Sequence, residues 1–267
     1  MNAATPASDA PPQPAARQAL VTIAGLTIAE TGAGGRRVIT TPTDLTVGRG
    51  ETVGIVGESG SGKSLTAKAI ARLLPPNLEA RGTILFDGID LMHQPEPAMR
   101  ALRGRRISLM FQDPFTMLNP LLPCGAHVEE MLPQGMTWGA RKAEVLRRLE
   151  EVGIPDPAAI VRLRPFQLSG GLRQRVALAA ALARDPDLLI ADEPSTALDA
   201  TTQKEVVDLL KRVQRQRGMS LILITHDLRL AFSACDRVHV FYAGSLVEVG
   251  AREIGRASCR ERVSCCV

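Results

Sequence analysis

Residues 57–64 read Gly57-Glu58-Ser59-Gly60-Ser61-Gly62-Lys63-Ser64, a complete G-x-x-x-x-G-K-[ST] pattern. Glycines let the backbone turn tightly, so that successive N–H groups face phosphate oxygens. The helix predicted to follow adds the positive end of its dipole. Lys63 is then placed to reach the β- and γ-phosphates of a nucleoside triphosphate, and Ser64 to ligate Mg²⁺. The alternative is a glycine-rich turn with a chance lysine. The apolar run before the motif (51–56) and the helical run after it (64–74) speak against that.

A second group of residues adds to the first. Asp192-Glu193-Pro194 closes the apolar run 188–191. An acid at the C-terminal tip of a parallel strand beside a phosphate loop can hold Mg²⁺, directly or through water, and Asp192 takes that part. Glu193 points elsewhere and can polarise the attacking water as a general base. A surface acid pair in a turn is the plain alternative. Ser169, Gly170 and Gly171 open a helical run, 171–184, with Ser169 as its cap. Free N–H groups at a helix start make a second anion site, the simple helix cap being the other reading.

Such residues need a scaffold to bring them together. Strand-like runs at 20–29 and 38–47 flank Thr31-Gly32-Ala33-Gly34-Gly35 and predict a hairpin. Further strands are predicted at 51–56, 82–85 and 107–111, and Pro75-Pro76 stops the helix 64–74. Residues 114–167 are punctuated by proline, with helical periodicity at 141–152 and charges on the outer face. Beyond them strand 188–191, helix 201–217, strand 221–225, a helix from Leu228 and strand 238–242 alternate. Alternation of this kind implies an α/β fold, a mostly parallel sheet with helices on its faces. No internal repeat interrupts it.

Composition sets the outer limits. The 267 residues, 45% hydrophobic and 22% charged, suffice for a substantial core and exclude a wholly disordered chain. Lys and Arg number 32 against 28 Asp and Glu, a net +4 that fits a mixed-charge surface better than a nucleic-acid footprint. Trp138, Tyr242 and six Phe are too few for a base-stacking platform. The longest clean apolar run, 176–183, falls short of the roughly 18 residues of a membrane span. Residues 1–19 carry no secretion-signal core and read as a disordered, Pro/Ala-rich lead, so a cytosolic chain is expected. The five cysteines (Cys124, Cys235, Cys259, Cys265, Cys266) match no zinc spacing, and their odd number argues against a disulfide framework.

Leu168-Ser169-Gly170-Gly171-Leu172-Arg173-Gln174-Arg175 begins with LSGG, and with the preceding motifs in order it resembles the ATPase subunits of ABC transporters. The resemblance runs from about residue 20 to 252. It implies an ABC-type P-loop NTPase: a RecA-like, mostly parallel sheet, an N-terminal antiparallel β-subdomain, and an inserted α-helical subdomain at about 115–170. It also implies ATP and Mg²⁺ as ligands, ATP hydrolysis, and a head-to-tail dimer. In that dimer Ser169, Gly170 and Gly171 cap the γ-phosphate held by the other subunit's phosphate loop. By the same resemblance Gln112 touches Mg²⁺ or the lytic water, and His226 contacts the γ-phosphate. Asp199, closing Ser195-Thr196-Ala197-Leu198-Asp199, crosses to the partner's site. Two departures stand out. No aromatic lies between residues 20 and 56, where the family stacks adenine, so the resemblance implies either weaker base affinity or selectivity, or stacking by Arg36 or Arg37 in its place. Leu172 stands where many members carry Gln.

Phe111-Gln112-Asp113-Pro114-Phe115-Thr116-Met117-Leu118-Asn119-Pro120 is similar to a segment of the dipeptide, oligopeptide and nickel importer group, as is Gly153-Ile154-Pro155-Asp156-Pro157. That implies a second ABC ATPase subunit (a second copy or a relative), two membrane permeases docked on the helical subdomain, and an extracytoplasmic solute-binding protein acting indirectly. It also implies no nucleic acid, and a peripheral place on the cytoplasmic face of the bacterial inner membrane. The alternatives are a soluble ABC-type ATPase acting on nucleic acid or the ribosome, a nucleotide-binding regulator without turnover, and an inactive truncated fragment. Intact Lys63, Asp192, Glu193 and His226 speak for turnover. Residues 253–263 match the translation of a common sequencing adapter, so 253–267 are expected to be a non-native tail.

Overall fold

The computed structural model describes residues 17–32, 35–111, 117–194 and 199–251. The expectations for residues 1–16, for Gln112, for Ser195 to Leu198 and for the tail lie outside the described residues. Residues 17–19, read above as part of the lead, are placed. Arg17 pairs with Asp236 at 3.0 Å, and the Gln18 carbonyl accepts from Arg49 N at 2.9 Å. A backbone bond to Arg49 and an ion pair to a residue far along the sequence pin them, and composition does not reveal these.

Two sheets organise the chain. β1 (Ala19–Gly32) and β2 (Gly35–Gly48) form the predicted hairpin, closing on Gly32 opposite Gly35. β4 (Leu78–Phe86) and the short β5 (Ile89–Asp90) complete an antiparallel sheet in the order β2-β1-β4-β5. β3 (Thr52–Gly57), β6 (Ile107–Met110), β7 (Leu188–Asp192), β8 (Ser220–Thr225), β9 (Arg237–Tyr242) and β10 (Ser245–Ala251) make the second sheet. Its order is β10-β9-β3-β8-β7-β6, parallel throughout except for the edge strand β10. Every residue of β7 and β8 is buried, as central strands covered on both faces must be.

Alternate side chains of these strands serve two cores. Leu188, Ile190, Ile222 and Ile224 join one cluster with Phe86, Ile84 and Ile70, between the two sheets. Leu189, Ala191, Leu221 and Leu223 join the other, against the helices. That period of two places each strand's polar tip at one edge of the sheet.

Helices follow the strands. α1 (Lys63–Ile70) stops a turn earlier than Pro75-Pro76 would require. Arg72 takes φ 50, and Arg103 donates to the carbonyls of Ala71 (2.7 Å) and Arg72 (3.2 Å), closing the helix with a cation at its negative end. α2 (Glu96–Leu102) and α3 (Cys124–Met131) have no counterpart among the predicted elements. α4 (Trp138–Glu151) begins at the Thr137 cap, and α5 (Pro157–Ile160) at the Asp156 cap. α6 (Gly170–Ala181) and α7 (Ala200–Arg217) match their predicted spans within a turn, and Gly218 at φ 64 ends α7. α8 (Leu228–Ala234) starts at the Asp227 cap.

Between β6 and β7 the described residues form helices and turns, without a strand. Arg148 of α4, almost wholly buried, ties that region to the turn before β7 through two 2.7 Å bonds to Asp185.

Candidate active site

The C-terminal ends of β3, β8 and β7 lie side by side, with Val56 opposite Thr225 and Asp192 opposite Ile224. Loops leaving neighbouring parallel strands therefore converge, and the predicted residues of three separate motifs meet there. Gly57 ends β3 at φ 154, and a Cβ there would lie 2.1 Å from the Phe241 carbonyl oxygen of β9. Only glycine lets the loop leave the sheet so close to its neighbour. Gly62, at φ 95, caps α1 in the left-handed region with no side-chain hydrogen bond to the helix, and no acid occupies the first turn. The first N–H groups of α1 are thus left for an anion.

Lys63 is 4% exposed, and its Nζ donates to the carbonyl oxygens of Gly57 (2.8 Å) and Glu58 (2.7 Å). Burial lowers its pKa from the ordinary lysine value, opposed by the charges of Glu193 and Asp192. The Ser61 hydroxyl is buried without a hydrogen-bond partner inside the loop, while Glu58, Ser59 and Gly60 stay exposed. An orphaned hydroxyl, a buried ammonium and unused helix N–H groups form a donor set suited to phosphate.

Ser64 Oγ donates to Asp192 Oδ1 at 2.9 Å, joining the end of β7 to α1. Burial raises the pKa of Asp192, the Ser64 bond opposes the rise, and the Glu193 charge adds to it. A hydroxyl and a carboxylate whose charge is poorly solvated are hard oxygen donors that fit Mg²⁺ held jointly with phosphate.

Glu193, 13% exposed at its side chain, has φ 47, and its N–H donates to Ile224 O at 2.9 Å. A left-handed residue before Pro194 is strained, and strain of this kind is kept where a side chain must be aimed. Its Oε2 lies 3.5 Å from Nδ1 of His226, which is 57% exposed.

The LSGG residues are elsewhere. Ser169 caps α6, its Oγ accepting from Leu172 N at 3.4 Å. With Gly170 and Gly171 it lines a cleft of about 490 Å³ that is also lined by Asp199, the cap of α7, and by Thr202 of α7. No residue of the phosphate loop lines that cleft. Asp199 accepts from Thr201 N (3.1 Å), Thr202 N (3.0 Å) and Thr202 Oγ1 (2.7 Å), and the Thr202 bonds hold its carboxyl below the usual range. The structure therefore sorts the predicted residues into two groups. Residues 57–64, Asp192, Glu193 and His226 form one, and Ser169, Gly170, Gly171 and Asp199 the other. Arg36 and Arg37 are exposed on β2 near the hairpin's closed end.

Two walls of the first group escaped the motif reading. Thr40 Cγ2 would sit 2.6 Å from a Cβ on Gly62, and Phe241 supplies the carbonyl against Gly57. Neither belongs to a motif. The requirement for glycine at 57 and 62 was the only trace they left in the sequence.

Taken together, a phosphate loop between strand and helix and an acid pair at the tip of a nearby strand define a nucleotide-binding α/β protein. The chain belongs to the ABC transporter family, whose pattern it matches over residues 40–196. It is 48% identical over 209 residues to the dipeptide transport ATP-binding protein DppD of Bacillus subtilis, covering 77% of this chain and 62% of that one. Against the oligopeptide transport ATP-binding protein OppD of the same organism it is 48% identical over 206 residues, covering 76% of this chain and 58% of OppD. The chain thus spans about three-fifths of the length of these relatives. Its fold superposes on the ATP-binding cassette MJ0796, solved as a dimer in a post-hydrolysis state with ADP and Pi. The TM-score is 0.77 at 29% identity, covering 87% of this chain and 98% of MJ0796.

Proposed function

We propose that this chain is the ATP-binding, ATP-hydrolysing subunit of an ABC importer for dipeptides or oligopeptides. The observation that carries the reading is one sheet edge holding Ser64 and Asp192 at 2.9 Å with Glu193 and His226 at 3.5 Å beside them. The names of the relatives favour peptides over nickel as cargo.

In this reading the N–H groups of residues 60–64 and the Lys63 ammonium receive the β- and γ-phosphates, Lys63 exchanging its carbonyl partners for phosphate oxygens. Ser64 and Asp192 would hold Mg²⁺, with Gln112 touching the ion or the lytic water. When bound, that ion supplies the positive charge that neutralises the phosphates and satisfies the buried Asp192. Glu193 takes the proton of the attacking water, and His226 steadies the γ-phosphate.

Ser169, Gly170, Gly171 and Asp199 serve the nucleotide of a second ATPase subunit, a copy or a relative, packed head to tail. That MJ0796 was solved as a dimer with ADP and Pi supports a pairing of two subunits. Closure on ATP then moves two permeases docked on the helical insertion at about 115–170, and hydrolysis releases it. The extent of the ATPase domain (20–252), the non-native tail (253–267) and a peripheral site on the cytoplasmic face of the membrane belong to the same proposal. Among the described residues no helix is long and apolar enough to cross a membrane.

Glu193→Gln tests the assignment. It keeps the shape of the side chain and removes the base, so ATP binding should persist while turnover falls by about 10²-fold or more. Hydrolysis at the parental rate, read by phosphate release, would refute Glu193 as the base.

A further inference from the structure

Arg175, farther along α6 than Ser169, ties three segments together. Its Nη1 donates to the carbonyl oxygens of Val152 and Gly153, each at 3.1 Å, and its Nη2 to Glu205 Oε2 of α7 at 3.3 Å. Val152 and Gly153 close α4, so the guanidinium sits on the carbonyls that end that helix, at the negative pole of its dipole. A planar fork can serve partners on two sides at once, which an ammonium cannot. Gly153 makes room for it: φ there is 74, and a Cβ would lie 2.5 Å from Nη1.

Helices α6 and α7 touch at successive points in the same order. Beside the Ser169 cleft, a Cβ on Gly171 would lie 3.2 Å from Thr202 Cγ2. Next along both helices comes the Arg175–Glu205 pair, and at their far ends Arg217 Nη1 donates to Leu182 O at 2.7 Å. The two helices therefore run side by side in one direction, starting from the caps Ser169 and Asp199 that both line the cleft. A change in the spacing of the helices is a change in the spacing of those caps. The Glu205 side chain is 58% exposed and that of Arg175 21%. So open a pair adds little to stability, and its worth lies in where it holds the helices.

We propose that Arg175 is a positioning residue for ATP hydrolysis: held between the end of α4 and Glu205, it sets the distance between Ser169 and Asp199, and so acts on the nucleotide of the partner subunit rather than on that of its own chain. The proposal rests on the two-subunit reading above and goes beyond it by adding a residue that works through Ser169. Without the fork, α6 is free to shift against α7 and α4. A displacement of about 1 Å at a group that caps a reacting phosphate is enough to cost tenfold or more in rate.

Complementation between full-length chains tests it. Lys63→Ala damages the phosphate loop, and Ser169→Glu damages the other face. Arg175→Ala should bind ATP within about twofold of the parent while its turnover falls about tenfold or more. Mixed one to one with Lys63→Ala it should recover activity, because one site of the mixed pair joins the intact loop of one chain to the intact Ser169 and Arg175 of the other. Mixed with Ser169→Glu it should recover nothing beyond the two variants alone, since both lesions lie on the same face. Arg175→Lys keeps the charge but reaches one side at a time, and should lose less turnover than Arg175→Ala. Gly153→Ala drives a methyl into the place of Nη1 and should complement as Arg175→Ala does.

Parental turnover in Arg175→Ala would overturn the proposal and leave the two-subunit reading standing. Rescue of Arg175→Ala by Ser169→Glu would overturn it too, placing Arg175 with the phosphate loop. Rescue by neither chain, while Lys63→Ala and Ser169→Glu still rescue each other, would mean that Arg175 serves the fold alone. If those two fail to rescue each other, the two-subunit reading falls and the proposal falls with it.

Discussion

Residue by residue, the phosphate loop depends on backbone space as much as on its charged groups. Gly57 and Gly60 both have positive φ, yet their surroundings differ. A Cβ on Gly60 meets nothing within 4 Å, whereas one on Gly57 would lie 2.1 Å from a backbone oxygen that only a shift of β9 could move. Gly60→Ala should therefore cost about 1–2 kcal/mol, the conformational penalty alone, and retain ATP binding. Gly57→Ala should cost more than about 3 kcal/mol and weaken ATP binding at least tenfold, because β3 and β9 must part. Thermal melts and nucleotide titrations compare the two, and equal penalties would contradict the packing argument. Lys63, Ser64, Asp192, Glu193 and His226 could be grouped from the sequence because each follows its own apolar strand run. Thr40 and Phe241 could not. What they touch is set by strand pairing and helix packing between distant segments, and no local pattern encodes it.

At the level of elements, the same contrast holds. β3, β7 and β8 announce themselves as continuous apolar runs because both their faces are covered. α1 ends before Pro75-Pro76 because its stop is a tertiary event, Arg103 donating to the carbonyls of Ala71 and Arg72. α3 went unseen, since Cys124-Gly125-Ala126-His127 gives little helical signal and its burial comes from α6. β10 was missed as an edge strand with Val247 and Val249 exposed.

β9 carries a prediction of its own. His239 is 2% exposed, and burial, helped by the Arg237 charge and opposed by Glu51 and a Gly54 backbone bond, pushes its pKa down to about 4. The unfolded chain binds this proton near pH 6.5, so between 6.5 and 4 the unfolded state holds more protons and stability falls as pH falls. The group's contribution is complete above pH 6.5, and roughly 3 kcal/mol is lost by pH 4. Urea midpoints measured from pH 7.5 to 4 should show this slope in the parent and a flatter one in His239→Leu. Identical slopes would mean that the ring is already solvated in the fold.

For the molecule as a whole, the decisive feature is that the two groups of residues proposed to hold nucleotide do not meet in one chain. The Ser169 cleft is faced by α7 and not by the loop at 57–64, so the proposed composite site would need two subunits. In a two-fold assembly each subunit would give its phosphate loop to one site and its Ser169 face to the other. Two differently damaged chains should then repair each other. Lys63→Ala spoils the phosphate loop, Ser169→Glu places a negative charge where phosphate must sit, and each variant alone should be close to inactive. Mixed at equal concentration, half of the dimers pair one of each. Such a pair combines the intact loop of the Ser169→Glu chain with the intact Ser169 of the Lys63→Ala chain in one of its two sites. If sites fire independently, the mixture should recover about a quarter of the parental ATPase rate. Recovery should vanish on dilution below the dimer's dissociation constant, which separates it from residual activity in either variant. A mixture that stays inactive while sedimenting as a dimer would show that one chain completes its own site.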